Sequence, residues 1–208
     1  MDLPIEVTSD VICPWCYIGK RRLEKAIAAY GQEVRVRWLP FQLNARLPKE
    51  GISRREYRTK KFGSWERSLE LDAQVAAAGA AEGIQFAFDR SERTPNTLDA
   101  HRLIWRADQE CVQGAVVEAL FRACFAEGRD IGDRQTLLDV VAEAGLDRGK
   151  AEPLLSSGGG QEAIREAEEL SRRVRVEGVP CFVLNGKATV SRAQPPDAFL
   201  DAFRQAIG

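Results

Sequence analysis

The chain has 208 residues, with 30 Lys and Arg against 31 Asp and Glu and 44 % hydrophobic residues. That is the size and balance of one large soluble domain, or one domain carrying an insertion, and it excludes disorder and collagen. A net charge of -1 leaves no global positive field for nucleic acid or an anionic membrane, and no stretch reaches the roughly 18 apolar residues of a membrane span.

The first residues, Met1 to Glu6, lack a basic start followed by an apolar run, so the expected compartment is the cytoplasm. Pro4 to Asp10 alternates apolar and polar residues through Ile5 and Val7, which predicts a strand ending in a loop. From Pro14 to Tyr30 the apolar positions Tyr17, Ile18, Leu23, Ile27 and Tyr30 take helical spacing, and Gly31 follows as a stop. Glu33 to Phe41 alternates again, with Val34, Val36 and Trp38 on one face. A strand, a helix of this length and a second strand form a right-handed βαβ unit with parallel strands.

The middle of the chain reads as helical. The basic run Ser53 to Lys61 reads as a solvated helix face. Helical patterns cover Ser64 to Glu82, Thr97 to Cys111, Ala115 to Glu127, Arg134 to Ala144 and Gly160 to Arg173, with no convincing strand between about Ser53 and Arg173. Thr97 is the expected N-cap of its helix. Breaks fall at Gly128 to Asp133 and at Gly145 to Asp147, and Ser156 to Gly160 reads as a helix-to-helix loop. Strand signals return at the end. Pro180 to Leu184 is an almost fully apolar run, Asn185-Gly186 is a hairpin turn, Thr189-Val190 lies in the partner strand, and Pro195-Pro196 opens a last helix.

The predicted architecture is therefore α/β: β-α-β at the front and β-β-α at the back, forming one small mixed sheet around a large helical insertion. Residues 1–45 and 174–208 make up the discontinuous sheet domain, and 46–173 the helical insertion, a lid.

Five cysteines, Cys13, Cys16, Cys111, Cys124 and Cys181, are an odd number in a chain of this length and do not make a disulfide framework. Cys13-Pro14-Trp15-Cys16 falls after the first strand and opens the first helix. Thiols at i and i+3 share one helix face within disulfide reach. The unpaired N–H groups and dipole of a helix start lower the pKa of a thiolate placed there. Cys13, at the helix edge, is expected to be exposed and acidic, and Cys16, one turn in, to be the more buried, resolving thiol. Pro14 fits the first helical position, and Trp15 brings apolar surface beside the sulfur. A zinc half-site would need a second pair, and His101 is the only histidine. An inert core pair and a redox dithiol remain as readings, the strand–CxxC–helix context favouring the dithiol. Val179-Pro180 places a proline at the head of a central strand, which is easier to understand as a cis peptide at a turn than as a trans proline bounding the strand.

Ser9-Asp10-Val11-Ile12-Cys13-Pro14-Trp15-Cys16-Tyr17-Ile18-Gly19-Lys20-Arg21, Asn96 to Leu103, Gly178-Val179-Pro180-Cys181-Phe182-Val183 and Val190-Ser191-Arg192-Ala193-Gln194-Pro195 resemble the DsbA-family, FrnE-like thiol oxidoreductases, in order and over essentially the whole chain. The resemblance implies a thioredoxin fold with a helical insertion. It also implies Cys13 as attacking thiol, Cys16 as resolving thiol and Pro180 as a cis-proline facing them. Pro14, Trp15 and Val179 are expected beside them at the substrate edge, where the Val179 backbone can pair with an extended peptide or glutathione. It departs from the family at Arg192, where a Gly is usual, and at Cys181, where Phe or Thr is commoner. A sister group, the glutathione-dependent kappa-class transferases and 2-hydroxychromene-2-carboxylate isomerases, shares the outline but typically carries Ser at the first motif position and lacks the second Cys.

The reading is a thiol–disulfide oxidoreductase acting through a mixed disulfide, needing no metal and no cofactor beyond glutathione as a co-substrate, on disulfide-bearing proteins or small thiols. A glutathione-dependent isomerase or transferase and a non-catalytic binding module are the alternatives. His101 reads either as a site-facing residue or as a hydrogen-bonded core histidine, and Asp10 as a residue that caps the helix start, tunes a thiol or merely sits in a loop. Cys111, Cys124 and Cys181 read as buried structural thiols.

Overall fold

Leu3, Ile5 and Val7 are buried while Glu6 between them is exposed, the period of a strand with one core face. The computed structural model describes residues 2–174 and 176–207. Met1, Arg175 and Gly208, which fall in the expected 1–45 and 174–208 segments, lie outside the described residues. Strand β1 (Leu3–Ser9) leads into helix α1 (Pro14–Tyr30), and β2 (Val34–Pro40) returns parallel to β1. At the far end of the chain β5 (Cys181–Leu184) pairs antiparallel with β1, β6 (Ala188–Ser191) pairs antiparallel with β5, and α9 (Pro196–Ile207) follows. The four-stranded sheet has the order β2-β1-β5-β6. This is the thioredoxin fold with a helical insertion that the sequence led us to expect.

The two faces of the sheet differ in chemistry. Val7 lies opposite Phe182 and Ile5 opposite Leu184, and Phe182 meets Phe199 of α9 edge-on at 4.8 Å. α1 and α9 pack together on that apolar face. The other face carries Glu6, Thr8, Cys181, Val183, Thr189 and Ser191, and it lines an open cavity of about 1080 Å³ beneath α4 (Leu98–Gln109) and α8 (Gln161–Arg173). The Asn185-Gly186 turn has φ of 50° and 65°, the positive pair that a tight hairpin needs.

Edge strand β2 is closed by side chains rather than by another strand. Gln113, at the start of α5 (Gln113–Arg122), accepts from Trp38 N at 2.8 Å and donates to Trp38 O at 3.1 Å, imitating a ladder pair. Just past β2, Gln42 N donates to Glu168 of α8 at 2.7 Å.

The insertion differs from the sequence reading in five places. Ile52–Ser53 (β3) pairs with Arg93–Thr94 (β4), where no strand was expected between Ser53 and Arg173; two residues carry no periodicity to read. The basic run forms α2 (Arg54–Phe62), but it is not merely a solvated face. Arg54 is buried, and both it and Arg58, the latter at 2.6 Å, turn inward to Asp72 of α3 (Trp65–Ala80). Helix α7 (Arg148–Ser156) follows α6 (Arg134–Glu143) unannounced, because Gly149 and Pro153 blur its pattern; Asp147 caps it by accepting from Gly149 N at 2.7 Å. At α4, Asn96 and not Thr97 supplies the cap, its Oδ1 accepting from Leu98 N at 3.0 Å. The expected helix from Ala115 onward ends in a π-helical turn, Ala123–Glu127.

Buried Arg102 of α4 organises the loop between α7 and α8. It donates to the carbonyls of Ser157 at 2.7 Å, Gly159 at 2.8 Å and Leu154.

Arg192, which follows β6, has φ of 66°, in the left-handed region that costs an L-residue. Its N–H donates to Pro180 O at 2.8 Å, which holds the backbone there and explains why glycine suits the position. Arg192→Gly is expected to stabilise the fold by roughly 1 kcal/mol, read as a higher denaturant midpoint with an unchanged slope; a lower midpoint would contradict the strain.

Candidate functional site

The site forms where β1 ends. Cys13 N donates back to Asp10 O at 3.0 Å, and Cys16 N donates to Cys13 O at 3.0 Å, so the chain turns at once from strand into helix. Cys13 is the extended N-cap residue of α1, with φ of -95° and ψ of 109°, and Pro14 opens the helix at no hydrogen-bonding cost. Trp15 is 41 % exposed and stands beside the motif as a free apolar surface. Leu43, in the loop after β2, is similarly open at 40 %.

The two sulfurs have different environments. Cys16 is fully buried, as expected, but Cys13 is only 8 % exposed rather than open to solvent. Its thiol is covered by the segment before β5 and donates to Val179 O at 3.9 Å. The Val179–Pro180 bond is cis. The Cys16 thiol, donating to the Cys13 sulfur, holds Cys13 below the ordinary thiol range; burial opposes this, and the backbone N–H groups of Cys16 and Trp15 at the helix start add to it. Burial pushes Cys16 well above that range, and the Cys13 sulfur adds to the effect. Ser9 also faces this pair: its buried hydroxyl finds no hydrogen-bond partner of its own among the described residues and acts on Cys16 in favour of the thiolate.

Asp10 and His101 meet beneath the dithiol. Asp10 is fully buried, and its carboxylate accepts from Leu43 N at 2.8 Å, from Ile12 N at 3.5 Å and from His101 Nε2 at 3.3 Å. His101 is thus a buried, hydrogen-bonded histidine that also lines the cavity behind the sheet.

The remaining cysteines do not join the dithiol. Cys181 is buried in β5 on the cavity face, and burial raises its thiol above the ordinary range. Cys124 sits in the π-helical turn, where burial pushes it up to about 12. Cys111 is exposed in the turn between α4 and α5, with φ of 58°, and is not the buried thiol that the apolar face of its helix suggested. Among the described residues, no three His, Cys, Asp or Glu side chains come together to hold a metal.

Other residues shape the site without having announced themselves. Gly19 lets α1 approach the sheet: a Cβ there would stand 3.1 Å from the Pro180 ring and 3.0 Å from the Phe182 ring. A glycine inside a helix, costing about 1 kcal/mol against alanine, was the only sequence signal for it. Lys20, buried in the same helix, donates to Glu118 of α5 at 2.6 Å, and Tyr17 OH donates to the same carboxylate at 3.0 Å. Tyr17 also stacks on Phe121 at 5.1 Å. These contacts fasten the helix that carries the dithiol to the insertion. No pattern in the sequence links positions about 100 residues apart.

Residues 4–204 match the family described as the DSBA-like thioredoxin domain. The chain belongs to that family. It is 32 % identical to a probable DsbA oxidoreductase, SCO1869, from Streptomyces coelicolor, whose crystal structure superposes with a TM-score of 0.92 over 99 % of this chain and 90 % of that one. The cytosolic disulfide reductase DsbM from Pseudomonas aeruginosa, solved with GSH, is 25 % identical, with a TM-score of 0.64 over 95 % of this chain and 97 % of that one. A 2-hydroxychromene-2-carboxylate isomerase shares the fold at 19 % identity, with a TM-score of 0.73 over 98 % of this chain and 96 % of that one. No helix among the described residues is long and apolar enough to cross a membrane.

Because the Cys16 thiol is the leading cause of the acidity of Cys13, replacements at position 16 separate its hydrogen bond from everything else. Cys16→Ser keeps a hydroxyl donor and Cys16→Ala removes it. The pH dependence of Cys13 alkylation is expected to lie higher in Cys16→Ala than in Cys16→Ser; coincident curves would show that the helix start alone sets the acidity of Cys13.

Proposed function

We propose that the protein is a thiol–disulfide oxidoreductase in which Cys13 attacks and Cys16 resolves. The observation that carries this reading is the opposite tuning of two adjacent sulfurs, Cys13 downward and Cys16 upward, at a helix start that abuts Val179. The Cys13 thiolate attacks one sulfur of a substrate disulfide, forms a mixed disulfide and expels the other substrate sulfur as thiolate. Cys16 then gives up its proton to the expelled substrate thiolate and attacks the Cys13 sulfur. The second substrate thiolate leaves, and Cys13 and Cys16 are joined in a disulfide. The two electrons that reduce the substrate come from the dithiol. Two external thiols, with glutathione the proposed co-substrate, return it to the reduced state.

Val179 supports docking in a specific way. Deprotonation of Cys13 ends its hydrogen bond to Val179 O, so the carbonyl becomes free for an N–H of an extended substrate just as the nucleophile forms. In this reading Pro14, Trp15, Val179 and Pro180 make the substrate edge, and residues 46–173 form a lid beside it. The exposed Trp15 and Leu43 offer apolar contact to a disulfide-bearing peptide. The family supports an oxidoreductase, and the likeness to DsbM, described as a cytosolic disulfide reductase, supports cytoplasmic work in the reducing direction. The paired cysteines distinguish this chain from the glutathione-dependent isomerases it resembles in fold.

Trapping tests the assignment. Cys16→Ser is expected to accumulate mixed disulfides through Cys13, Cys13→Ser to accumulate few, and each to lose disulfide reductase activity. A wild type inactive on disulfides, together with a glutathione-dependent reaction indifferent to Cys16→Ser, would transfer the assignment to the isomerase class.

A further inference from the structure

Asp10 and His101 are a buried acid–imidazole pair next to the dithiol in the chain and in its field, and the exchange reaction above leaves them without a task. The two come from distant parts of the fold, the end of β1 and the first turns of α4, and meet in a site closed to solvent: Asp10 is 0 % and His101 3 % exposed. A buried carboxylate is costly unless its oxygens are satisfied. Here Oδ2 accepts from Leu43 N at 2.8 Å, while Oδ1 accepts from His101 Nε2 at 3.3 Å and, at the limit of a hydrogen bond, from Ile12 N at 3.5 Å. Two backbone donors and one imidazole thus hold the carboxylate in a fixed place three residues before Cys13. The same residue's backbone carbonyl accepts from Cys13 N. Among the described residues, the groups that act on Cys13 are the Cys16 thiol, the N–H groups of the first turn and the Asp10 charge, and those on Cys16 are Cys13, Ser9 and the Asp10 backbone; none of them is a cation. Around Asp10 stand His101 on α4, Cys13 on α1, Cys124 in the π-helical turn and the Leu43 backbone after β2.

We propose that Asp10 and His101 form a positioning pair that sets how readily Cys13 carries negative charge, Asp10 opposing the thiolate and His101 attenuating Asp10. The proposal deepens the exchange reading and rests on Cys13 being its attacking thiol. The pair touches neither substrate nor reacting sulfur; it acts through the field it places under the helix start. In a site closed to water this field is weakly screened, so a change of one charge reaches the sulfur. His101 also lines the cavity on the far side of the sheet, so the pair spans from that cavity to the dithiol.

The experiment follows alkylation of Cys13 by iodoacetamide across pH in the full chain, with the modified residue located by mass spectrometry. Asp10→Asn keeps an oxygen for Leu43 N and removes the charge, so the Cys13 midpoint is expected to move down. His101→Gln keeps a donor and removes the imidazole, so the midpoint is expected to move up. In the double variant the His101→Gln shift is expected to vanish, because nothing is left for the imidazole to attenuate. Shifts of opposite sign that collapse in the double variant support the pair. Shifts of the same sign, or none in correctly folded variants, overturn it and leave a merely structural contact. If Asp10→Asn does not fold, His101→Gln and His101→Asn decide alone: an upward shift in both supports the proposal, and an unmoved midpoint overturns it. A wild type that forms no mixed disulfide would refute the exchange reading without touching these shifts, so the two failures are distinct.

Discussion

Strand β1 is hydrogen-bonded along both edges, to β2 on one side and to β5 on the other, and that double pairing positions everything chemical in this chain. Its parallel partner brings the first helix back across the sheet, and its antiparallel partner arrives from the other end of the sequence. Where β1 ends, Cys13 begins. Where β5 begins, Val179 and Pro180 have just passed. Two segments 166 residues apart therefore face one another at one end of the sheet, with Cys13 Sγ 3.9 Å from Val179 O. A register slip of one residue would turn Val7 and Phe182 out of the core and Thr8 and Cys181 into it. The register that buries the core is thus the register that assembles the site.

Close packing then fixes the dithiol helix in place. Gly19 allows α1 to lie against Pro180 and Phe182, and the Lys20, Tyr17 and Glu118 contacts hold its outer side to α5. Burial opposes the ionised Glu118 carboxyl, yet Lys20 and Arg21 hold it below the usual carboxylate range, so this fastening is charged at neutral pH and is lost as acid protonates the group. The insertion is in this way part of the site's mechanical support, though no sulfur lies within it at the dithiol.

Much of this was readable in the residues. The alternation in Pro4 to Asp10, the helical spacing from Pro14 to Tyr30 and the Asn185-Gly186 turn are local signals, and local signals survive in a sequence. The motif Cys13 to Cys16 carried its meaning because it falls between a strand and a helix. What escaped reading was set by tertiary contact. The burial of Cys13 comes from the Val179 segment; the pairing of Asp10 with His101 joins residues 91 positions apart; Arg54 and Arg58 turn inward because Asp72 waits there. The exposure of Cys111 follows from a chain reversal at the end of α4, which an apolar helix face does not announce. Arg192 was visible as a departure from a glycine pattern, but its physical reason, a positive φ, appears only with the backbone.

The central claim is that Cys13 and Cys16 form one reversible two-electron couple and that the other three thiols stand apart from it. Equilibrating the wild-type protein in glutathione buffers of graded redox poise, followed by differential alkylation and peptide mass mapping, measures this directly. The account expects a single disulfide, Cys13 to Cys16, whose population follows the poise as a two-electron couple, with Cys111, Cys124 and Cys181 unpaired with one another throughout. A chain in which Cys13 and Cys16 stay reduced at every poise, or in which either of them pairs with another cysteine instead, would contradict it.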